Sequence, residues 1–178
     1  MRRSLAALIA LVLLFSTVGW SADSVQAGKK VTVGAVFWKG LEAYQNGDYE
    51  TALREWRPLA EQGHAEAQFW LGVMYYEEKG VPQDYQTAVK WLRRAAQQEH
   101  TTAQKILGGM YYEGQGVDKN LVYAYMWLDI AASQEDKDAA KARELVAKDM
   151  TPPQIEEAQE LARECVEKNF KGCGRPKR

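Results

Sequence analysis

The chain is short of the residues that do covalent chemistry. Beyond residue 28 it holds a single serine, Ser133 in the segment AASQED, with no lysine at Ser-x-x-Lys spacing and no histidine beside it. It has only two histidines, His64 and His100, and only two cysteines, Cys165 and Cys173. No His/Cys cluster with metal-ligand spacing exists, so neither a metal nor another cofactor is expected. Acidic pairs such as Glu77-Glu78 read as solvated charges at a helix end. Charge of one sign is also lacking: the formal net charge is −1, which disfavours nucleic acid as a partner.

Long apolar runs are absent except at the start. Arg2 and Arg3 precede an apolar run from Leu5 to Val18, and Val25-Gln26-Ala27 places small residues before Gly28. This is the pattern of a secretory signal over residues 1–27, cut after Ala27 or alternatively after Ala22. The run is shorter than the roughly 20 residues that span hydrocarbon, which weakens a transmembrane reading, so no stable membrane anchor is expected after cleavage. No cysteine follows it that could carry a lipid. The expected location is periplasmic or secreted.

What the chain does have is a repeat. Residues 65–100 and 101–136 are the same 36-residue unit written twice. Ala67, Gln68, Leu71, Gly72, Tyr75 and Tyr76 recur as Ala103, Gln104, Leu107, Gly108, Tyr111 and Tyr112. Past the loop, Gly80, Val81, Ala88, Trp91, Leu92, Ala95 and Ala96 recur as Gly116, Val117, Ala124, Trp127, Leu128, Ala131 and Ala132. Each unit carries two helical stripes, at 67, 71, 72 and 75 and again at 85, 88, 92, 95 and 96, separated by the breakers Gly80 and Pro82. Two antiparallel helices follow. Gly72 and Gly108 lie inside helices, where glycine costs about 1 kcal/mol against alanine. The compensation expected for that cost is close approach of the partner helix. One hairpin cannot cover both of its apolar faces, so the units must stack into a right-handed α-solenoid of antiparallel helix hairpins.

A degenerate copy fills residues 28–64. Gly40, Tyr44, Ala52, Ala60 and His64 correspond to Gly72, Tyr76, Ala88, Ala96 and His100, with a shorter loop. Residues 137–169 read as a further first helix followed by a capping helix. Thr151-Pro152-Pro153-Gln154 supplies an N-cap, a first-turn proline and a capping-box partner, and Met150 and Ile155 sit at staple spacing. Residues 170–178 form a basic tail. Its lysines and arginines, with Lys168, read chiefly as a solvated tail at the helix C-terminus, with a weak anionic envelope contact as the alternative. An even cysteine count in an exported chain points to a Cys165–Cys173 bridge, made easy by Gly172 and Gly174; two reduced thiols are the alternative.

The stretches AEAQFWLGVMYY at 65–76 and GVPQDYQTAVKWL at 80–92 closely resemble the Sel-one-like repeat, a relative of the tetratricopeptide repeat. One departure is Glu78, which stands where repeat 3 has the loop glycine Gly114. The resemblance implies an adaptor whose first helices line a concave groove for a protein or peptide, and the shortage of nucleophiles makes the expected adaptor non-catalytic. The tetratricopeptide groove positions carried over are Phe37, Leu41 and Tyr44 in repeat 1, then Glu66, Phe69, Val73, Tyr76 and Glu77 in repeat 2. Repeat 3 adds Thr102, Lys105, Gly109, Tyr112 and Glu113. Tyr75, Tyr111, Trp91 and Trp127 recur in register and are assigned to the core. Phe69 is assigned to the groove because its counterpart, Lys105, would not replace a core residue. His64 and His100 are expected to finish the second helices at their C-termini. An envelope enzyme or cell-wall binder acting on peptidoglycan or β-lactams is the alternative function.

Overall fold

The computed structural model describes residues 22–174, with side chains from residue 33. The expected signal segment therefore lies largely outside the described residues, as does the end of the basic tail. The chain divides into two compact units, 1–35 and 36–178, and the packing below belongs to the second. Among the described residues there are eight helices and no strand: α1 (Ala22–Gln45), α2 (Tyr49–Glu61), α3 (Ala65–Glu77), α4 (Tyr85–Ala96), α5 (Thr101–Glu113), α6 (Leu121–Ser133), α7 (Lys137–Ala147) and α8 (Pro152–Glu167). Helix α1 runs through Ala27 and Gly28 without a break.

The helices pair as hairpins, α3 with α4 and α5 with α6, and the hairpins stack through α2 on α3, α4 on α5 and α6 on α7. This is an all-α solenoid of stacked antiparallel hairpins. The glycines inside the first helices set the hairpin spacing. A β-carbon on Gly72 would meet Leu92 Cγ at 2.6 Å, and one on Gly108 would meet Leu128 Cγ at 2.6 Å and the Ala124 carbonyl oxygen at 3.1 Å. Gly40 does the same in the degenerate unit, where a β-carbon would meet the Trp56 indole at 2.4 Å. The indole instead lies against α1 and donates to the Phe37 carbonyl at 3.1 Å. The alanines at 88, 95, 124 and 131 complete the close approach and are fully buried.

Two buried glutamines stitch the hairpins together. Gln68 donates to the Ala60 carbonyl at the end of α2, and its own carbonyl accepts from Gln98 just past α4, at 2.9 and 2.8 Å. One repeat on, Gln104 donates to the Ala96 carbonyl and accepts from Gln134, at 3.1 and 2.7 Å. Each is thus a second donor to a helix-end carbonyl that also accepts from the turn, the Gly63 amide at Ala60 and the Glu99 amide at Ala96, and each ties three successive helix ends into one line.

Helix α8 packs on α6. Its start uses the expected signals: the Thr151 amide donates to Gln154 Oε1 at 2.8 Å, with Pro152 and Pro153 in the first turn. Ala158, Ala162 and Cys165 form its buried face. Past α8 the chain reverses and Cys165 and Cys173 are joined, with their α-carbons 5.5 Å apart.

Candidate functional site: the first-helix face

The first helices α1, α3, α5 and α7 each begin or end against their neighbours through a repeated set of contacts. His64 and His100 open α3 and α5 as N-caps, their Nδ1 atoms accepting from the Ala67 and Ala103 amides at 3.2 Å. The expectation that they close the second helices is thus corrected. The physical reason is the shortness of the turn: Gly63 and Glu99 take the left-handed conformation, φ 97° and 65°, and the next residue already caps the following helix. With Nδ1 accepting, the ring proton sits on Nε2, which in His100 lies 3.3 Å from the Glu66 carboxylate.

The N-caps also explain Phe69. Its ring stacks on His100, with centroids 4.3 Å apart, as Phe37 stacks on His64 at 5.2 Å. In repeat 3 the next N-cap is Asp136, which accepts from the Ala139 amide, and here the equivalent residue Lys105 reaches Asp136 Oδ2 at 2.8 Å. That hydrogen bond, and then the Ala139 amide, hold the Asp136 carboxyl below its ordinary range. The exchange of Phe69 for Lys105 therefore follows the exchange of His100 for Asp136, and it needs no ligand to account for it.

The ladder of tyrosines on the same face is likewise tied from repeat to repeat. Tyr44 donates to Glu77 at 3.4 Å, Tyr76 to Gln115 at 3.1 Å and Tyr112 to Asp149 at 2.8 Å. Burial, reinforced by the Glu77 carboxylate, pushes the Tyr44 hydroxyl up to about 12. Tyr76 is raised by burial and then by the charges of Tyr85, Glu113 and Glu77. Of the residues assigned to the core, Tyr111 and Trp127 are buried, whereas Tyr75 and Trp91 are only half-buried, Trp91 lying under the Arg94 guanidinium at 4.6 Å.

Two clefts open between these helices. One, about 450 Å³ between α3 and α5, is lined by Val73, Tyr76, Glu77, Leu92, Ile106, Gly109, Met110, Glu113 and Gln115. The other, about 420 Å³ between α5 and α7, is lined by Lys105, Gly109, Tyr112, Leu128, Ala142, Leu145, Val146, Lys148 and Asp149. They meet at Gly109, which is exposed and has open space where a β-carbon would stand. Of the groove residues read from the sequence, Val73, Tyr76, Glu77, Lys105, Gly109, Tyr112 and Glu113 line a cleft. Phe37, Leu41, Tyr44, Glu66, Phe69 and Thr102 line neither. Sequence reasoning missed the α7 wall, where Ala142, Leu145 and Val146 follow a helical stripe and Asp149 stands in the turn just beyond. That stripe was a usable signal, but α7 lacks the tyrosine motif that located the groove on α3 and α5. Leu145 is 59% exposed, unusual for a leucine on a face that is otherwise half-buried.

Among the described residues no three His, Cys, Asp or Glu side chains gather as a metal site requires, and no helix is long and apolar enough to cross a membrane.

The sequence profile of the Sel1 repeat matches residues 65–100 and 101–136. Among solved structures, a protective antigen present in uropathogenic Escherichia coli strains, with an SLR fold, superposes with a TM-score of 0.74 at 29% identity. That match covers 84% of this chain but only 33% of the antigen, so the present chain spans about a third of that protein. A Sel1 repeat protein from Oxalobacter formigenes superposes with a TM-score of 0.59 at 35% identity, covering 68% of this chain and 95% of that one. No curated protein matches the chain closely enough to count as a relative. Sel1 repeat proteins generally mediate protein–protein interaction. With the paired glycines, the buried glutamines and the hairpin stack all in register, the chain belongs to the Sel1 repeat family.

Proposed function

We propose that the protein is an exported, non-catalytic adaptor whose first-helix face binds a protein or peptide segment. The observation that carries this reading is the pair of apolar-floored clefts meeting at Gly109, a position where any side chain would project into open space. A continuous trough with an apolar floor and polar rim is what a peptide-binding surface needs. Among the described side chains, Ser133 spends its hydroxyl on the Ile130 carbonyl at 2.7 Å, and both histidines serve as helix caps. Export is supported by the basic and apolar N-terminal pattern and by the Cys165–Cys173 bridge, since disulfides persist in oxidising compartments.

A photo-crosslinking residue placed at position 109, compared with one at the exposed α4 position Lys90, tests the assignment. Crosslinks to partner protein should concentrate at 109 and be absent at 90. Equal labelling at both positions, or labelling at 90 alone, moves the binding surface elsewhere.

A further inference from the structure

The two clefts differ in charge. In the cleft between α5 and α7, Lys105 and Lys148 stand with Asp149, and Lys105 is already matched by Asp136. In the cleft between α3 and α5 the charged lining residues are Glu77 and Glu113, with no lysine or arginine among the described residues that line it. Glu77 and Glu113 occupy the same position in successive repeats, so stacking brings both carboxylates to the same edge of the cleft. The Tyr76 hydroxyl feels both, and its ionisation is pushed up by each of them. Beneath them lie Val73 and Ile106, an apolar floor large enough to take a branched aliphatic side chain.

We infer that the α3–α5 cleft takes a cationic segment of a partner protein, with an aliphatic side chain seated on Val73 and Ile106 and a lysine or arginine placed between Glu77 and Glu113. This rests on the groove reading above and specifies its ligand. An incoming cation gains attraction to each of the two carboxylates. An acidic segment would meet the same two charges unfavourably. The surrounding floor supplies affinity that charge alone lacks, because exposed ion pairs each contribute little. Toward α7 the trough becomes balanced in charge, so the segment should carry its cation over α3 and α5 and turn neutral or apolar as it passes Gly109.

Fluorescence anisotropy with three labelled synthetic peptides of one length provides the test. The first mixes leucine with lysine, the second leucine with glutamate and the third serine with lysine. The leucine-lysine peptide should bind, and more weakly as salt rises, while the other two bind poorly. The pair Glu77→Gln and Glu113→Gln should weaken it about fivefold, as two exposed ion pairs would. Gly109→Trp, which meets open space and so leaves the fold alone, should weaken it at least about tenfold by filling the trough. Failure of the leucine-lysine peptide to bind, or equal capture of the leucine-glutamate peptide, overturns the inference. Loss of binding on Gly109→Trp with no effect of the two glutamines overturns it too, yet leaves the groove reading standing. Binding indifferent to Gly109→Trp removes both. A concentration-dependent dimer in sedimentation, dispersed by Gly109→Trp, would give the cleft to a second copy of the chain and likewise overturn the cationic partner.

Discussion

At the scale of the residue, the informative events are substitutions that move together. Phe69 with His100, and Lys105 with Asp136, perform one task with different chemistry: each fastens the N-cap of the next first helix. Lys105→Phe should therefore destabilise by more than its surface position suggests, and adding Asp136→His should recover part of the loss. The coupling should be about 0.5–1 kcal/mol, since both Lys105 and Asp136 are partly solvated. A double-mutant cycle by urea unfolding measures it, and strict additivity would refute the pairing. Glu78 gives a second case. It takes the left-handed conformation, φ 60°, at the position where repeat 3 has Gly114 at φ 74°. A side chain there costs roughly 1–2 kcal/mol, offset in part by the freedom that glycine adds to the unfolded chain. Glu78→Gly should accordingly raise stability by up to about 1 kcal/mol. A lower melting temperature would mean that the carboxylate makes a compensating contact.

At the scale of the element, helices and hairpins were legible in the sequence because three independent signals agreed: stripe, breaker and cap. The α8 start, with Thr151, two prolines and Gln154, was readable to the residue. The close approach at Gly72 and Gly108 was readable from the same pattern, since an unfavourable residue kept in a helix implies a packing return. Gly108→Leu should cost far more than its gain in helix propensity, about 1–3 kcal/mol or more, because the α6 backbone at Ala124 leaves no room. Stability equal to the parent would dismiss the close-approach account. What could not be read was the assignment of the residue between helices. Only Gln97, Gln98 and Glu99 separate α4 from His100, and only the backbone shows that the left-handed Glu99 closes this turn and hands His100 to α5. The glutamine line was visible as recurrence, not as purpose. Gln104→Leu should lower stability by about 0.5–1.5 kcal/mol, by removing its two hydrogen bonds to the Ala96 carbonyl and from the Gln134 amide, although that carbonyl keeps the Glu99 amide and Gln134 is exposed. Thermal unfolding checks this, and an unchanged transition would mean that water replaces the bond.

At the scale of the molecule, the stack needs two ends, and the C-terminal one is closed by a short return of chain. The sequence presented residues 170–178 as a solvated basic tail, and for residues 170–174 that is corrected: Phe170, Cys173 and Gly174 are buried, and only Lys171 and Gly172 are exposed. Gly174 lies so near the Trp127 indole that a β-carbon would meet it at 2.8 Å, and its carbonyl accepts from the Tyr111 hydroxyl at 2.7 Å. Tyr111 in turn accepts from Arg93 at 2.8 Å, and Gln97 donates to the Cys173 carbonyl at 3.3 Å. Composition shows charge and glycine in this segment, but it does not show that the glycines bring backbone against an aromatic surface left bare by the last repeat. This contact also explains why Tyr111 and Trp127 are buried while their counterparts Tyr75 and Trp91 are not: the return covers repeat 3 and has no equivalent over repeat 2. The bridge holds that return in place, and closing so short a loop contributes about 2–3 kcal/mol in the chain-entropy model. Reduction should therefore release residues 166–174 while the hairpins, whose core lies upstream, stay folded. Hydrogen exchange should rise in that segment, Trp127 should become accessible to a quencher, and far-ultraviolet dichroism should change little. Cooperative loss of the whole helical signal on adding a dithiol would show that the return stabilises the stack itself. The cap would then be part of the fold's core and not a cover over its last repeat.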